Sequence, residues 1–397
     1  MRVIFLNRFY WPDEPATAQL LTDLAEQLVA RGHRVSIIAS HPGRDEVPRF
    51  ECHHAVAIHR IRGTRWSRAG LAGKAADYAT FFLGALWCLA RMVRRGDIVV
   101  ALTDPPLIGI GAWLVAAGRG ARLFHWVQDI YPELAITLAG HRWLGITVAL
   151  RNHAWRRARR CVTLGADMGA VLSHAGVPGE QISLVPNWAP AGLAPPAGSI
   201  AGKLRDEWGL QGKFIVEYSG NLGRVHDLEP VLAAAEALRD ATGTVFLFVG
   251  AGPQRAALEA AVGHRGLRNV LFKPPQPRAH LGEVLALGDV HLVTLRPGCE
   301  ALVFPSKLYG AAAVGRPVIF LGPRDCELAR LVIDRQFGLV FERTEDAAFA
   351  AAVRDLSHDA AQRDQLGAAA LVFAAEHAGP ADAAAQWDAW FRELQAC

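Results

Sequence analysis

No Cys-x-x-Cys pair occurs in this chain, and its six cysteines, at 52, 88, 161, 299, 326 and 397, stand far apart. That spacing excludes a disulfide scaffold, a zinc ribbon and a thioredoxin-type centre, and fits a reduced cytosolic chain. A bilayer-spanning run is also missing. Ala79–Ala90 is too short, Ile98–Ala117 is broken by Thr103-Asp104-Pro105-Pro106, and Leu134–Leu150 carries His141 and Arg142. Val3–Leu6, directly behind Met1-Arg2, is too short for a secretory signal core. The expectation is therefore a soluble or peripheral protein. Internal repeats are absent, and so is any groove-reading motif, so no nucleic-acid partner is expected.

What is present is apolar and long. The 397 residues are 51% hydrophobic and 20% charged, which excludes global disorder and makes two domains of about 200 residues the natural division. Net charge is +4, unevenly placed. Through residue 190 there are 22 Lys+Arg against 14 Asp+Glu; the remainder has 20 against 24. The first half is suited to anionic partners and the second is not.

Short apolar runs alternate with helical periodicity. Val3–Leu6 precedes Thr17, Leu20, Leu21, Leu24 and Leu28 at helical spacing, stopped by Gly32. Further strands are predicted at Val35–Ala39, Val56–Ile61, Ile98–Leu102, Leu123–Val127, Cys161–Leu164 and Ile182–Val185. A Pro/Ala/Gly-rich stretch containing Pro186, Pro190, Pro195 and Pro196 interrupts the rhythm. It restarts at Phe214–Ser219, Val245–Val249, Val270–Phe272, Val290–Thr294 and Pro317–Phe320. The expected fold class is α/β, with two Rossmann-like β/α/β domains facing across a cleft and ligand loops at the strands' carboxyl ends. The expected divisions are 1–190, a linker at 191–212, 213–378, and a last helix at 379–397 that packs back on the first domain.

Three loops of the second half suit an anion. Tyr218-Ser219-Gly220-Asn221-Leu222-Gly223-Arg224 turns on two glycines before a helix, and Arg224 offers a bidentate contact. An ordinary βα turn with a solvated arginine fits it equally. Val249-Gly250-Ala251-Gly252-Pro253 lacks the third glycine of a dinucleotide fingerprint, and reads as one wall of a nucleotide site or as a tight turn. Pro305-Ser306-Lys307 enters a helix start, with Ser306 as N-cap and Lys307 where a diphosphate collects. A capped helix with a surface lysine is the plainer account.

These elements, in this order, resemble the retaining glycosyltransferases of family 4, with the GT-B fold. The resemblance is to bacterial polysaccharide and lipid-linked oligosaccharide transferases carrying Pro-Ser-Lys. It also rests on Leu28–Val35, on Gln128-Asp129-Ile130-Tyr131-Pro132-Glu133, on Val185-Pro186-Asn187-Trp188 and on Gly315–Ile319. It implies a nucleotide-diphosphate sugar, UDP foremost, held by Gly220, Asn221, Leu222, Arg224, Pro305, Ser306, Lys307 and Leu308. Gly250, Gly252 and Pro275 would flank the base. Tyr10, Trp11 and Asp129 would face the acceptor. Catalysis would be electrostatic, led by Arg224 and Lys307 with Asp129, without cofactor or metal. The family's paired glutamates fall here on Leu302 and Gly310, and its Arg and Lys of the diphosphate loop on Asn221 and His226.

Asp129 reads equally as helix N-cap, and His125 as a core histidine. His53, His54 and His59 have no helical metal spacing and read as surface. Segment 60–95 holds Arg60, Arg62, Arg65, Arg68, Lys74, Arg91, Arg94 and Arg95 against one acid, Asp77, interleaved with Trp66, Tyr78, Phe81, Phe82 and Trp87. It suits an anionic membrane surface or, more plainly, a helix with a solvated basic face; Arg151–Arg160 would extend it. The expected function is transfer of a sugar, with retention, from a nucleotide donor to a lipid-linked or oligosaccharide acceptor in cell-surface polysaccharide synthesis, at the inner face of the membrane. A UDP-sugar 2-epimerase and a non-catalytic GT-B subunit are the rival readings.

Overall fold

The computed structural model describes residues 1–66, 70–195 and 200–396; Arg68, Pro196 and Cys397 lie outside them. The chain divides into two units. One comprises Met1–Asn187, Ala301–Phe304 and Ala378–Cys397; the other comprises Trp188–Glu300 and Pro305–His377.

The first unit is built on β1 (Arg2–Leu6), β2 (Arg34–Ser40), β3 (Phe50–His53), β4 (Val56–Ile61), β5 (Ile98–Ala101), β6 (Arg122–Val127), β7 (Arg160–Thr163) and β8 (Ile182–Leu184), in the spatial order β3-β4-β2-β1-β5-β6-β7-β8. All neighbours run parallel except β3 with β4. Every residue of β5 is buried, as a central strand covered by helices on both faces requires. β3 was not expected from the sequence: Phe-Glu-Cys-His is a half-exposed edge hairpin with no apolar run to mark it.

The helix Pro380–Ala396 packs within this unit, against the helix Ala16–Ala30. Trp387 and Phe391 are fully buried. The Trp387 ring lies 5.6 Å from Trp126 and 6.3 Å from Phe5, and Asp388 Oδ1 lies 2.7 Å from His33 Nε2.

The second unit carries β9 (Phe214–Ser219), β10 (Thr244–Val249), β11 (Val270–Lys273), β12 (Val290–Thr294), β13 (Val318–Leu321) and β14 (Gly338–Phe341), all parallel, ordered β11-β10-β9-β12-β13-β14. The unpredicted β14 is only four residues long. The stretch expected to be a linker holds a helix, Ile200–Glu207, which belongs to this unit. Leu204 and Trp208 pack on its core, and Arg205 pairs with Asp289 at 3.1 Å. Its Ile200-Leu204-Trp208 spacing is helical but too short to stand out beside the prolines.

Candidate active site

In the second unit β9 and β12 are neighbours, so the loops at their ends lie side by side. The Lys307 ammonium sits 4.8 Å from the centre of the Tyr218 ring and 3.0 Å from His226 Nε2. His226 Nδ1 is 2.7 Å from the Thr294 carbonyl oxygen, which can only accept. Nδ1 therefore carries the proton, and Nε2 is left as the acceptor for Lys307. Burial pushes His226 down to about 3, with the lysine's charge adding to the effect. Burial alone pushes Lys307 down to about 7. Near neutrality such a lysine is only partly charged, and an arriving anion draws it to the charged form.

Glycine has specific work in this corner. A Cβ on Gly220 would stand 2.9 Å from Lys307 Cε. At Gly250, with φ +149°, it would stand 2.0 Å from the Gly220 carbonyl oxygen, and Gly252 abuts the Leu222 backbone in the same way. Gly250 and Gly252 are thus required by backbone meeting backbone.

Several expectations are corrected here. The Gly220 amide donates to the Val249 carbonyl (2.9 Å) and the Leu222 amide to Ala251 (2.8 Å), so neither is spare for a phosphate. Ser306 has helical angles and its side chain makes no capping hydrogen bond. The side chains of Leu222 and Leu308 are buried in the core, at 1% and 0% exposure. What remains open is Asn221 and Arg224, both exposed, with Pro275 exposed beyond β11 and Pro305 buried before Lys307. The position of the family's second glutamate, Gly310, is filled: a Cβ there meets Leu285 at 3.1 Å and Leu193 at 3.9 Å. At the first, the Leu302 carbonyl accepts from the Ile130 amide at 2.8 Å and its side chain is buried.

The first unit gathers a second set of groups that sequence reasoning largely missed. β5 and β6 are adjacent, which brings Asp104 near Asp129. The Asp129 amide donates to Thr103 Oγ1 at 3.1 Å. Burial pushes Asp104 up to about 6, with Arg8 pulling it back, and pushes Asp129 up to about 7, with Asp104's charge adding. The helix Glu133–Ala139 starts from Pro132, so Asp129 is not its N-cap. Burial, with those two carboxylates, also raises Tyr131. The Arg8 guanidinium lies 4.7 Å from the centre of the Tyr78 ring and lines a cavity of about 520 Å³ with Asp13, His41, Arg65 and Asp77. Only an aspartate just beyond a predicted strand end could have signalled Asp104.

Tyr10 is corrected from acceptor residue to core: at 1% exposure it presents no ring face. Trp11 is stacked on His53 at 3.8 Å. His125 is buried, pushed down to about 4 chiefly by burial, as a packed core histidine.

The basic segment divides. Arg60 is buried, bonded to Glu51 and to the carbonyls of Pro48 and Trp11, and Phe81 is core. Of the run Arg151–Arg160, Arg151 is buried in a bidentate pair with Glu133 at 2.7 Å and Arg160 bonds Ser183, which withdraws both from a surface patch, whereas Arg156, Arg157 and Arg159 are exposed. Lys74, Arg91, Arg94 and Arg95 are exposed, beside exposed Trp66, Leu83 and Trp87. The neighbouring helices add exposed Leu114, Trp143, Ile146 and Leu150. Among the described residues no helix is long and apolar enough to cross a membrane.

Residues 17–188 match the family described as "Glycosyl transferase 4-like domain", and residues 202–372 the family described as "Glycosyl transferases group 1". The crystal structure of Anabaena Alr3699/HepE in complex with UDP-glucose superposes with a TM-score of 0.76 at 14% identity, covering 99% of this chain and 100% of that one. The protein is a glycosyltransferase of the GT-B fold. In sequence it is similar to the Escherichia coli K12 protein named "Putative colanic acid biosynthesis glycosyl transferase WcaI", 28% identical over 349 residues, 83% of this chain and 86% of that one. It is also similar to a GDP-mannose-dependent alpha-mannosyltransferase of Mycobacterium tuberculosis, 26% identical over 387 residues, 92% of each chain.

Proposed function

We propose that the protein transfers a sugar from a nucleotide-diphosphate donor to a lipid-linked or oligosaccharide acceptor in bacterial cell-surface polysaccharide synthesis, with retention of configuration. The observation that carries this reading is Lys307, half-buried, with its pKa depressed and its ammonium aligned by neutral His226 beside Gly220. Such a group suits the charge that grows on a departing diphosphate. Arg224, exposed on the same loop, adds a second cation, and the transfer needs no cofactor or metal in this account. UDP is the favoured nucleotide of the donor, because a UDP-glucose complex is known for the structural relative Alr3699/HepE; the mannosyltransferase relative makes GDP the comparison. Asp129 and Asp104, with the cavity beside Arg8, form the acceptor side, where a carboxyl poised near neutrality can orient or deprotonate a hydroxyl.

Thermal shift with UDP, GDP, ADP and dTDP tests the donor reading. Ligand at 100 times its Kd stabilises by about 2.7 kcal/mol, a shift of several degrees. A shift with one base names the donor class; none with any base favours a non-catalytic subunit.

The exposed cations and apolar side chains of residues 71–150 belong to a peripheral contact with an anionic membrane at its inner, cytoplasmic face, each cation contributing about 1 kcal/mol. Arg91, Arg94 and Arg95 changed to Glu should release the protein from anionic liposomes, and undiminished binding would refute this contact.

A further inference from the structure

In the first unit the β3–β4 hairpin turns on His54 and Ala55, both left-handed at φ 46° and 62°. Asn and Gly are the residues such a turn favours; two residues with full side chains cost free energy that something must offset. The turn stacks the His54 ring on that of His53, with centroids 4.1 Å apart, and sets His54 Nδ1 at 2.8 Å from Glu26 Oε1 on the helix Ala16–Ala30. One ligand atom from each of Glu26, His53 and His54 lies within 4.8 Å of the other two. Trp11 covers the far face of His53.

We propose that Glu26, His53 and His54 form a Zn²⁺ site. Two imidazole nitrogens and one carboxylate oxygen are a borderline donor set that suits zinc better than magnesium or calcium, with water as the fourth ligand. At zinc–ligand distances of about 2.0–2.2 Å the donor atoms stand roughly 3.3 Å apart. Side-chain rotation supplies the closure from 4.8 Å, because His54 is exposed and Glu26 half-exposed. The ion replaces the proton held between His54 Nδ1 and Glu26. It ties the edge hairpin to the helix, and through the stacked His53 it fixes the loop carrying Trp11. Cys52 alternates to the opposite face of β3, and His59 faces Phe50 there, so neither is a ligand.

The test uses full-length protein without a histidine tag, stripped with chelator and titrated with ZnCl₂ against a competing chelator dye. One equivalent is expected per chain, with a rise in Tm that MgCl₂ does not give. Affinity should fall at least tenfold in Glu26→Gln, His53→Ala and His54→Asn. The last keeps a residue tolerant of the left-handed turn. His59→Ala should bind as the parent does. Absence of stoichiometric uptake by the parent overturns the proposal, and so does equal uptake by the triple variant. Since all these residues are at the surface, the Tm of each metal-free variant checks folding independently.

Discussion

Lys307 Nζ donates to His226 Nε2 across 3.0 Å, although 81 residues separate them. The geometry holds because His226 spends its one proton on the Thr294 carbonyl. His226 occupies a position where the resembled family carries a cation, and here it serves by steering the Lys307 ammonium.

Removing either partner should weaken the donor. Lys307→Ala should raise the Kd of the nucleotide diphosphate roughly 10- to 100-fold, the range for a lost charged hydrogen bond, with the fold intact. His226→Leu should cost less, and the double variant should cost less than the sum, since the residues act as a unit. Calorimetric titration reads all three; unchanged affinity in Lys307→Ala and Arg224→Ala together would remove the diphosphate assignment.

The depressed lysine predicts a pH dependence. Charged Lys307 predominates below about pH 7. Donor affinity should therefore fall as pH rises above 7, by up to about tenfold per unit, until the lysine's higher pKa in the complex is reached. Lys307→Arg should flatten the profile. Between about pH 7 and the lysine's ordinary 10.5 the unfolded chain binds the extra proton. Stability should thus rise with pH in that window relative to Lys307→Met, as urea titrations at pH 7 and pH 9 can check.

Gly250→Ala should destabilise the protein by about 2–4 kcal/mol, since a methyl group there meets the Gly220 carbonyl oxygen and φ is unfavourable. Denaturant midpoints measure this. A loss of donor binding with no loss of stability would show instead that the glycine faces the ligand.

Asp129→Asn should lower kcat while leaving donor affinity in place, because the carboxyl belongs to the first unit's acceptor side. Its folded pKa is raised, so the parent loses stability as pH climbs from about 4 to about 7, where the folded protein binds more protons than the unfolded chain. The variant should recover on the order of 4 kcal/mol at pH 8 and nothing at pH 3. Equal stability at both would contradict the burial of this group.

Much of the scaffold was legible. Ile98-Val99-Val100-Ala101 reads as a strand buried on both faces, and is one. The Pro-Ser-Lys and Tyr-Ser-Gly-Asn-Leu-Gly loops were legible as strand-to-helix turns. Their chemistry was read less well. Ser306 as cap, the Gly220 and Leu222 amides as phosphate donors, and Tyr10 as a ligand ring all assumed local geometry that neighbouring backbone had already claimed. β3 and the helix Ile200–Glu207 carried too few apolar residues to register.

The sequence by itself determined the alternation of strand and helix, because apolar periodicity is local and each run must bury its own face. It also placed glycine, lysine and aspartate at strand ends. Which of these meet was decided by strand order alone. β12 comes to lie beside β9, and β5 beside β6, through crossovers that leave no mark in the intervening residues. The Lys307–His226 bond, the Asp104–Asp129 pair and the Glu26–His54 contact exist only once the sheets are closed, when burial strips water from groups that would otherwise keep their ordinary charge.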